Sequence, residues 1–380
     1  VRVAAVYGAN ASGKSNFIDA LNFVSYFVRT GFAAGDAQTR IPVIPFLLDS
    51  NSINDDTEFS IDFTSDNEKY EFSFGLNKNE VTYENLVVYR SKQPSLLYDR
   101  TSVNGMQSIK FGSSFTGAKK QLWDITRKNS LFLSAAATAG STVIQPAFKS
   151  LAYDIKHYDA TRYANELTEI KKLFIKGDSR ARVLSQLIKF ADIGIDDIDV
   201  RQAESVFGLK EPFVDLKDIP EEARNIIEED FKWSFSYDLF FHHKGVGDGL
   251  WFNSNQESEG TKAALAFFFV ALNSLSSGTL ALIDELDSSL HPTLLRDFVS
   301  LFSDPETNPN GAQLIFSTHD VTLMTRTSPM EEVLERDQVW FVEKDSEGTS
   351  QLIAAMEYLS LIHISEPCLL YTSPSPRDRT

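Results

Sequence analysis

The sequence predicts an α/β protein: a doubly wound core of parallel strands that carries an antiparallel β lobe and a helical insertion. Three observations predict it. The chain opens on an apolar run that breaks at a glycine-containing turn and resumes with helical spacing. A middle stretch alternates apolar and polar residues between tight turns. Three further apolar runs near the end are separated by helical segments.

The opening element is "VRVAAVYGANASGKSNFIDALNFV". Val1 to Tyr7 is apolar and rich in valine, as a strand covered on both faces requires, and Phe17, Ile18, Leu21, Val24 and Val28 recur at helical spacing. Between them, Gly8 to Ser15 spells G-x-x-x-x-G-K-S, the pattern of a phosphate-binding loop between a strand and a helix. Glycines at both ends let successive backbone N–H groups face one anion, and a helix beginning near Lys14 adds the positive end of its dipole. Lys14 is expected to reach the β- and γ-phosphates. Ser15 is expected to offer its hydroxyl to Mg²⁺, which prefers hard oxygen ligands.

"GDAQTRIPVIPFLLDSNSINDD" reads as a long loop leading to a second lobe. "TEFSIDF", "KYEFSFGL" and "EVTYENLVVYR" then alternate with period two and are expected to pair as antiparallel strands. From about Lys119 to Ile193 the spacing is helical. It lacks the sustained heptads of a long coiled coil. In "KWSFSYDLFFHHKGVGDGLWF", a hairpin around Gly245 to Gly249, His242 and His243 point to opposite faces, which argues against a paired metal site.

"GTLALIDEL", "AQLIFSTHD" and "DQVWFVEKD" are the later strand candidates, as in parallel βαβ units. In a doubly wound sheet, ligands gather at the carboxyl ends of strands. Asp284 and Glu285 end one such strand, so Asp284 is expected to hold Mg²⁺ and Glu285 to polarise the water that attacks the γ-phosphate. His319, after the next strand, is expected to sense the γ-phosphate from the same edge. In "NQESEGTKAALAFFF", Ser258 and Gly260 precede a strongly apolar helix and form a second anion-binding helix start. The plainer reading is that Ser258 caps a core helix.

With 42% hydrophobic and 12% aromatic residues, the 380-residue chain can bury one large core or two modest ones. Thirty-six basic residues against 53 acidic ones leave a net charge of −17, so an overall positive field that would attract nucleic acid or anionic lipid is absent; a local basic patch, and with it a nucleic-acid partner, stays open but is unsupported by the net charge. Cys368 is the only cysteine, which excludes an internal disulfide and a cysteine-built zinc site and suits a reducing cytoplasm. The run Ala263 to Leu272 is far too short to span a membrane.

Together "GANASGKSN", "SEGTK", "LIDELDSSLHP" and "FSTHD" resemble, in content and order, the nucleotide-binding heads of the ABC ATPase superfamily, in the branch that includes SMC, RecF and OLD-type proteins. With "RDQVWFVEKD", the chain is similar to bacterial AAA/ABC-like ATPases of anti-phage and abortive-infection loci. The resemblance implies a P-loop NTPase fold with an ABC-ATPase-like core. It implies an ATP site in which Gly8, Asn10, Ala11, Ser12, Gly13, Lys14, Ser15 and Asn16 form the Walker A loop. Ser15 and Asp284 would hold Mg²⁺, with Glu285 the catalytic glutamate and His319 the switch histidine. It further implies that Ser258, Gly260 and Lys262 cap the γ-phosphate of a partner subunit and that Asp287 to Ser289 form the loop crossing between subunits. The protein would be a homodimer around two ATP that controls a separate effector, a nuclease being one candidate.

Other ATPases of the superfamily are the alternatives. A transporter cassette carries a compact insertion, whereas Ser15 and Ser258 are 243 residues apart here. A DNA-repair or recombination ATPase of the SMC or RecF type would bring a long coiled coil or a basic path. An OLD-type nuclease would add a metal-binding domain after His319, and the carboxylates of "DIDV" (Asp197 to Val200) read as a strand edge instead. The expected division is 1–35 with 231–358 as ATPase core, 36–116 as β lobe and 117–230 as mainly helical insertion. The absence of an initial Met points to strands upstream of Val1. Residues 361–380 resemble a translated sequencing-adapter tail, non-native or disordered.

Overall fold

A computed structural model describes residues 1–50, 52–159, 163–191, 194–202, 237–245, 251–324 and 333–357. The expected tail, 361–380, lies outside the described residues, as does the greater part of the expected hairpin turn at Gly245 to Gly249. The chain forms two compact units. One comprises Val1–Tyr7, Tyr158–Trp340 and the residues from Ala354; the other comprises Gly8–His157 and Phe341–Ile353.

The first unit is built on parallel strands. β1 (Val3–Gly8) pairs in parallel with a strand at Gln313–Ser317, which pairs in parallel with another at Leu280–Asp284. These are the strands expected from their apolar runs, and the register sets Val6 opposite Ser317 and Ile283 opposite Phe316. The carboxyl ends of all three are therefore level, which is what a parallel sheet needs to gather chemistry at one edge.

The second unit is an antiparallel meander of β2 (Thr57–Ser65), β3 (Glu68–Leu76), β4 (Val81–Tyr89), β5 (Ser95–Val103) and β6 (Met106–Phe111), paired in chain order. Its tight turns use residues that tolerate left-handed backbone: Asp66 and Asn67 at φ 49° and 62°, and Asn104 and Gly105 at 53° and 76°. Three helices pack in this unit: α1 (Lys14–Thr30), α3 (Phe132–Thr138) and α4 (Gln145–Tyr153), with the shorter α2 (Lys119–Ile125) between α1 and α3 in sequence. Val24, Phe27 and Val28 of α1 share one buried core with Phe72, Phe74, Leu86 and Tyr98 of the sheet. The rings of Phe23, Phe59 and Phe74 stack in series at 5.4 and 4.9 Å. α1 packs against α3 and α4 within this unit.

At the centre of this lobe lies a charged pair with no exposure at all. Arg100 Nη1 is 3.2 Å from Glu84 Oε2, directly across strands β4 and β5. Glu84 also accepts hydrogen bonds from the Tyr98 hydroxyl (2.7 Å) and from the backbone N–H groups of Phe132 (2.7 Å) and Leu133 (2.9 Å), at the start of α3. Arg100 donates to the carbonyls of Ser130, Arg127 and Lys128. Burial pushes the Tyr98 hydroxyl well above its ordinary value, reinforced by the Glu84 charge.

The helical run expected from Lys119 to Ile193 is interrupted by a strand, β7 (Ile155–Asp159), before α5 (Ala164–Ile175) and α6 (Ser179–Phe190). Ile155 and Tyr158 are five-residue strand material that a helical count across the whole stretch absorbs. In the first unit, α5 and α6 pack against α7 (Glu259–Ser277), and β8 (Ile195–Gln202), β9 (Tyr237–His243) and β10 (Trp251–Asn253) form a small antiparallel sheet in the order β10-β9-β8. β8, with "DIDV", is its edge. The strands already described complete the series as β11 (Leu280–Asp284) and β12 (Gln313–Ser317), with α8 (Pro292–Ser303) between them, followed by β13 (Val339–Lys344) and β14 (Ser350–Ala354).

Candidate functional site

The residues singled out in the sequence fall in both units, and each group is built within its own. In the second unit, the loop from Gly8 runs into α1 at Lys14. Gly13 has φ 112°, and a Cβ there would lie 2.6 Å from Ser350 Oγ. A Cβ at Gly8 would lie 2.5 Å from Ser12 Oγ and 2.6 Å from the Val342 carbonyl. Both positions thus require glycine on steric grounds. Lys14 is buried to 7% exposure, and its Nζ donates to the carbonyls of Gly8 (3.0 Å) and Ala9 (3.2 Å). Ser12 is 4% exposed, and its Oγ has no hydrogen-bond partner among the described residues. Asn10, Ala11, Ser15 and Asn16 are exposed around it.

In the first unit, the carboxyl ends of β11 and β12 meet through Ser317. Its hydroxyl donates to Asp284 Oδ1 and accepts from the Glu285 N–H (2.8 Å). Glu285 is exposed and left-handed, at φ 50°. His319 follows β12, and its N–H donates to both oxygens of the Asp287 carboxylate at 3.2 Å. The Tyr7 hydroxyl, at the end of β1, donates to the Asp320 carbonyl (3.1 Å), and burial raises its pKa, helped by the Asp320 and Asp287 charges.

Five non-glycine residues among those described have positive φ. Three are the Asp and Asn of hairpin turns; the other two are Ala11 in the phosphate loop and Glu285 at the acidic strand end. An alanine or glutamate in this conformation is strained and must be held by its surroundings, a cost that concentrates at functional sites.

The third group is the start of α7. The helix begins at Glu259, so Gly260 sits inside its first turn and not ahead of it as its sequence position suggested. Ser258 is the N-cap, its Oγ accepting from the Thr261 N–H at 3.0 Å. Lys262 Nζ is 2.5 Å from Glu259 Oε1, and the Tyr163 hydroxyl donates to the Glu259 carboxylate and, at 3.1 Å, to its carbonyl. These two donors hold the Glu259 carboxyl below the usual range, Lys262 first. A Cβ at Gly260 would meet nothing nearer than Ser258 Oγ at 3.8 Å. Packing among the described residues therefore does not ask for glycine there, although glycine weakens a helix.

His242 and His243 diverge as expected, His242 against the Trp251 ring and His243 onto Glu257 Oε1 at 2.5 Å. No cluster of three or more His, Cys, Asp or Glu among the described residues could hold a metal. That is compatible with Mg²⁺, which takes few protein ligands beside phosphate and water. No helix among the described residues is long and apolar enough to cross a membrane. A cavity of about 310 Å³, lined by Tyr158, Glu166, Lys172, Arg180 and Asn273 among others, contains none of the residues singled out above.

Sequence reasoning missed Ser317, which joins Asp284 to Glu285, although it stands in "FSTHD" at the strand end. It also missed Lys344 and Ser350, whose side chains reach the carbonyls of Ala11 (3.2 Å) and Ser12 (2.6 Å). More than 330 residues separate them from the loop, so no local pattern carries that contact.

Residues 3–325 match the family described as "AAA domain, putative AbiEii toxin, Type IV TA system". Among solved structures, the chain is similar to the Smc head domain with an extended coiled coil, bound to the C-terminal domain of ScpA, from Pyrococcus furiosus. Identity is 13%, over 96% of this chain and 93% of that one, with a TM-score of 0.39. It is also similar to the Smc head domain with a coiled coil and joint from Pyrococcus yayanosii, at 12% identity over 95% of each chain and a TM-score of 0.32. No curated protein matches the chain.

Proposed function

The chain belongs to the AAA-domain family of putative AbiEii toxins, and we propose that it is an ATP-hydrolysing switch that dimerises around two ATP and controls a separate effector in anti-phage defence. The observation that carries the nucleotide reading is the loop after β1, where Gly8 and Gly13 tolerate no side chain and Lys14 opens a helix. The defence role is supported by the family's description and by nothing in the site itself.

In this reading the loop amides from Asn10 to Asn16 bind the phosphates. Lys14, now on the carbonyls of Gly8 and Ala9, turns its ammonium to the β- and γ-phosphates. The unpartnered Ser12 hydroxyl suits a phosphate oxygen, and Ser15 and Asp284 are each assigned to Mg²⁺ because it prefers hard oxygen ligands. When bound, Mg²⁺ supplies charge neutralisation at the phosphates. Glu285 takes the proton of the attacking water, and Ser317 fixes the backbone from which it projects. His319 contacts the γ-phosphate and reports its presence.

Ser258, Gly260 and Lys262 are assigned to the phosphate bound by a partner subunit, and Asp287 to Ser289 to the subunit crossing. The glycine at 260, which packing among the described residues does not require, supports this assignment. Steady-state ATP turnover with a parallel measurement of nucleotide retention tests the reading. Glu285→Gln is expected to retain ATP and turn it over slowly. Normal turnover by that variant would remove Glu285 from the mechanism.

A further inference from the structure

The phosphate loop is held from outside by the β13–β14 pair. We propose that Lys344 and Ser350 are positioning residues for nucleotide binding, fixing the two loop carbonyls that must turn away when the loop's amides turn toward phosphate. This rests on the nucleotide-binding reading above and extends it to residues that no part of the loop motif contains.

A loop that aims consecutive N–H groups at one anion turns the intervening carbonyls outward. Those carbonyls need donors of their own. Here the Ala11 carbonyl accepts from Lys344 Nζ at 3.2 Å and the Ser12 carbonyl accepts from Ser350 Oγ at 2.6 Å. Both donors come from strand ends flanking one turn, in which the Asp345 N–H donates to the Thr349 carbonyl at 3.0 Å.

Three further observations converge on the same contact. Ala11 has φ 62°, a conformation its own side chain disfavours, so it requires an external restraint. The two loop glycines leave no room for a side chain beside β13 and β14: a Cβ on Gly8 would strike the Val342 carbonyl, and one on Gly13 would strike Ser350 Oγ. Ser12, whose carbonyl Ser350 holds, keeps a buried hydroxyl with no partner among the described residues. An unpaired buried hydroxyl is costly, and a phosphate oxygen is a partner that this loop's chemistry would provide. Lys344 and Ser350 thus hold the loop in its binding shape before the ligand arrives, which lowers the ordering cost of binding.

The test is titration of ADP into the full chain, with melting temperature followed in the absence and presence of ADP. Lys344 is exposed, so Lys344→Met is expected to leave the ligand-free melting temperature unchanged. It should weaken ADP about tenfold, the scale of one hydrogen bond to a charged group. Ser350→Ala is expected to weaken ADP by about fivefold. Lys344→Arg, which keeps charge and donor, should restore binding. In turnover, KM for ATP should rise more than kcat falls. ADP binding by Lys344→Met and Ser350→Ala as tight as that of the unaltered chain would overturn the assignment. Lys14→Ala in the same titration tells two failures apart. If it alone loses ADP, the phosphate loop stands and the outer clamp falls; if it too binds normally, the nucleotide reading itself falls.

Discussion

The phosphate loop and the Glu84–Arg100 centre lie in the same compact unit and both place charged side chains against backbone, yet they are built in opposite ways. Around Glu84, four donors converge on one carboxylate, and the helix start, the sheet and the arginine are locked together. In the loop, Ala11 is strained, a buried serine hydroxyl has no partner, and Lys14 rests on two carbonyls of its own loop. The first arrangement uses a buried charge to fix the lobe; the second keeps polar groups in a shape suited to an anion. Burial does not distinguish the two, since Lys14, Ser12, Glu84 and Arg100 are all buried; the difference is that four donors meet the Glu84 carboxylate, whereas among the described residues none meets the Ser12 hydroxyl, although Arg100 Nε is left without a partner too.

The largest effect expected from this contrast is at Arg100. Arg100→Met strands a buried carboxylate and should cost about 3–5 kcal/mol of stability, measured by denaturant unfolding. Replacing Glu84 and Arg100 together by Met should cost less than the sum of the single changes. Additive losses would mean that the pair does not act as a unit.

At the loop the expected loss is in binding and not in folding. Lys14→Ala should reduce nucleotide affinity on the order of a hundredfold, read by retention of labelled ATP, because an ammonium–phosphate contact is charge-assisted. Gly13→Ala comes next. Forcing a Cβ into φ 112° beside Ser350 should cost about 1–3 kcal/mol and shift the thermal midpoint as well as binding. A stable Gly13→Ala protein with normal binding would contradict the steric account of the loop.

Ser258→Ala removes the cap of α7 and should cost about 1 kcal/mol by thermal unfolding, with a separate loss of ATP-dependent association if the helix start also meets phosphate. The smallest effect belongs to an exposed pair. Asp178 caps α6, and hydrogen bonds from Arg180 lower its pKa from 3.8 to about 2. A depressed carboxyl stabilises the fold above its unfolded value, so this contribution is present at neutral pH and disappears as pH falls from about 4 toward 2. Asp178→Asn should flatten that part of the acid unfolding curve slightly.

The same contrast explains what could be read in advance. Gly8, Gly13, Lys14 and Ser15 lie within eight consecutive residues, so their spacing nearly specifies their geometry, and strand, loop and helix lie where the pattern put them. That Asp284, Glu285 and His319 stand at or just beyond strand ends was legible because strand ends are recognisable from apolar runs that stop. β2 to β4 followed from alternation. Glu84 and Arg100 were invisible for the reverse reason: a charged residue on an alternating strand reads as solvent-facing, and only the pairing of β4 with β5 and the arrival of α3 make it a core residue. β7 was hidden by the helical residues on either side. Lys344 and Ser350 act on the loop through tertiary contact alone.

The central claim is that two copies close around ATP, and the solution mass of Glu285→Gln with and without ATP and Mg²⁺ tests it most directly. The account predicts a monomer without nucleotide that becomes a dimer when ATP and Mg²⁺ are added, and that Gly260→Asp, which sets a negative charge where the partner's phosphate is assigned, remains a monomer. A mass indifferent to ATP, in protein shown to bind it, would contradict the shared site.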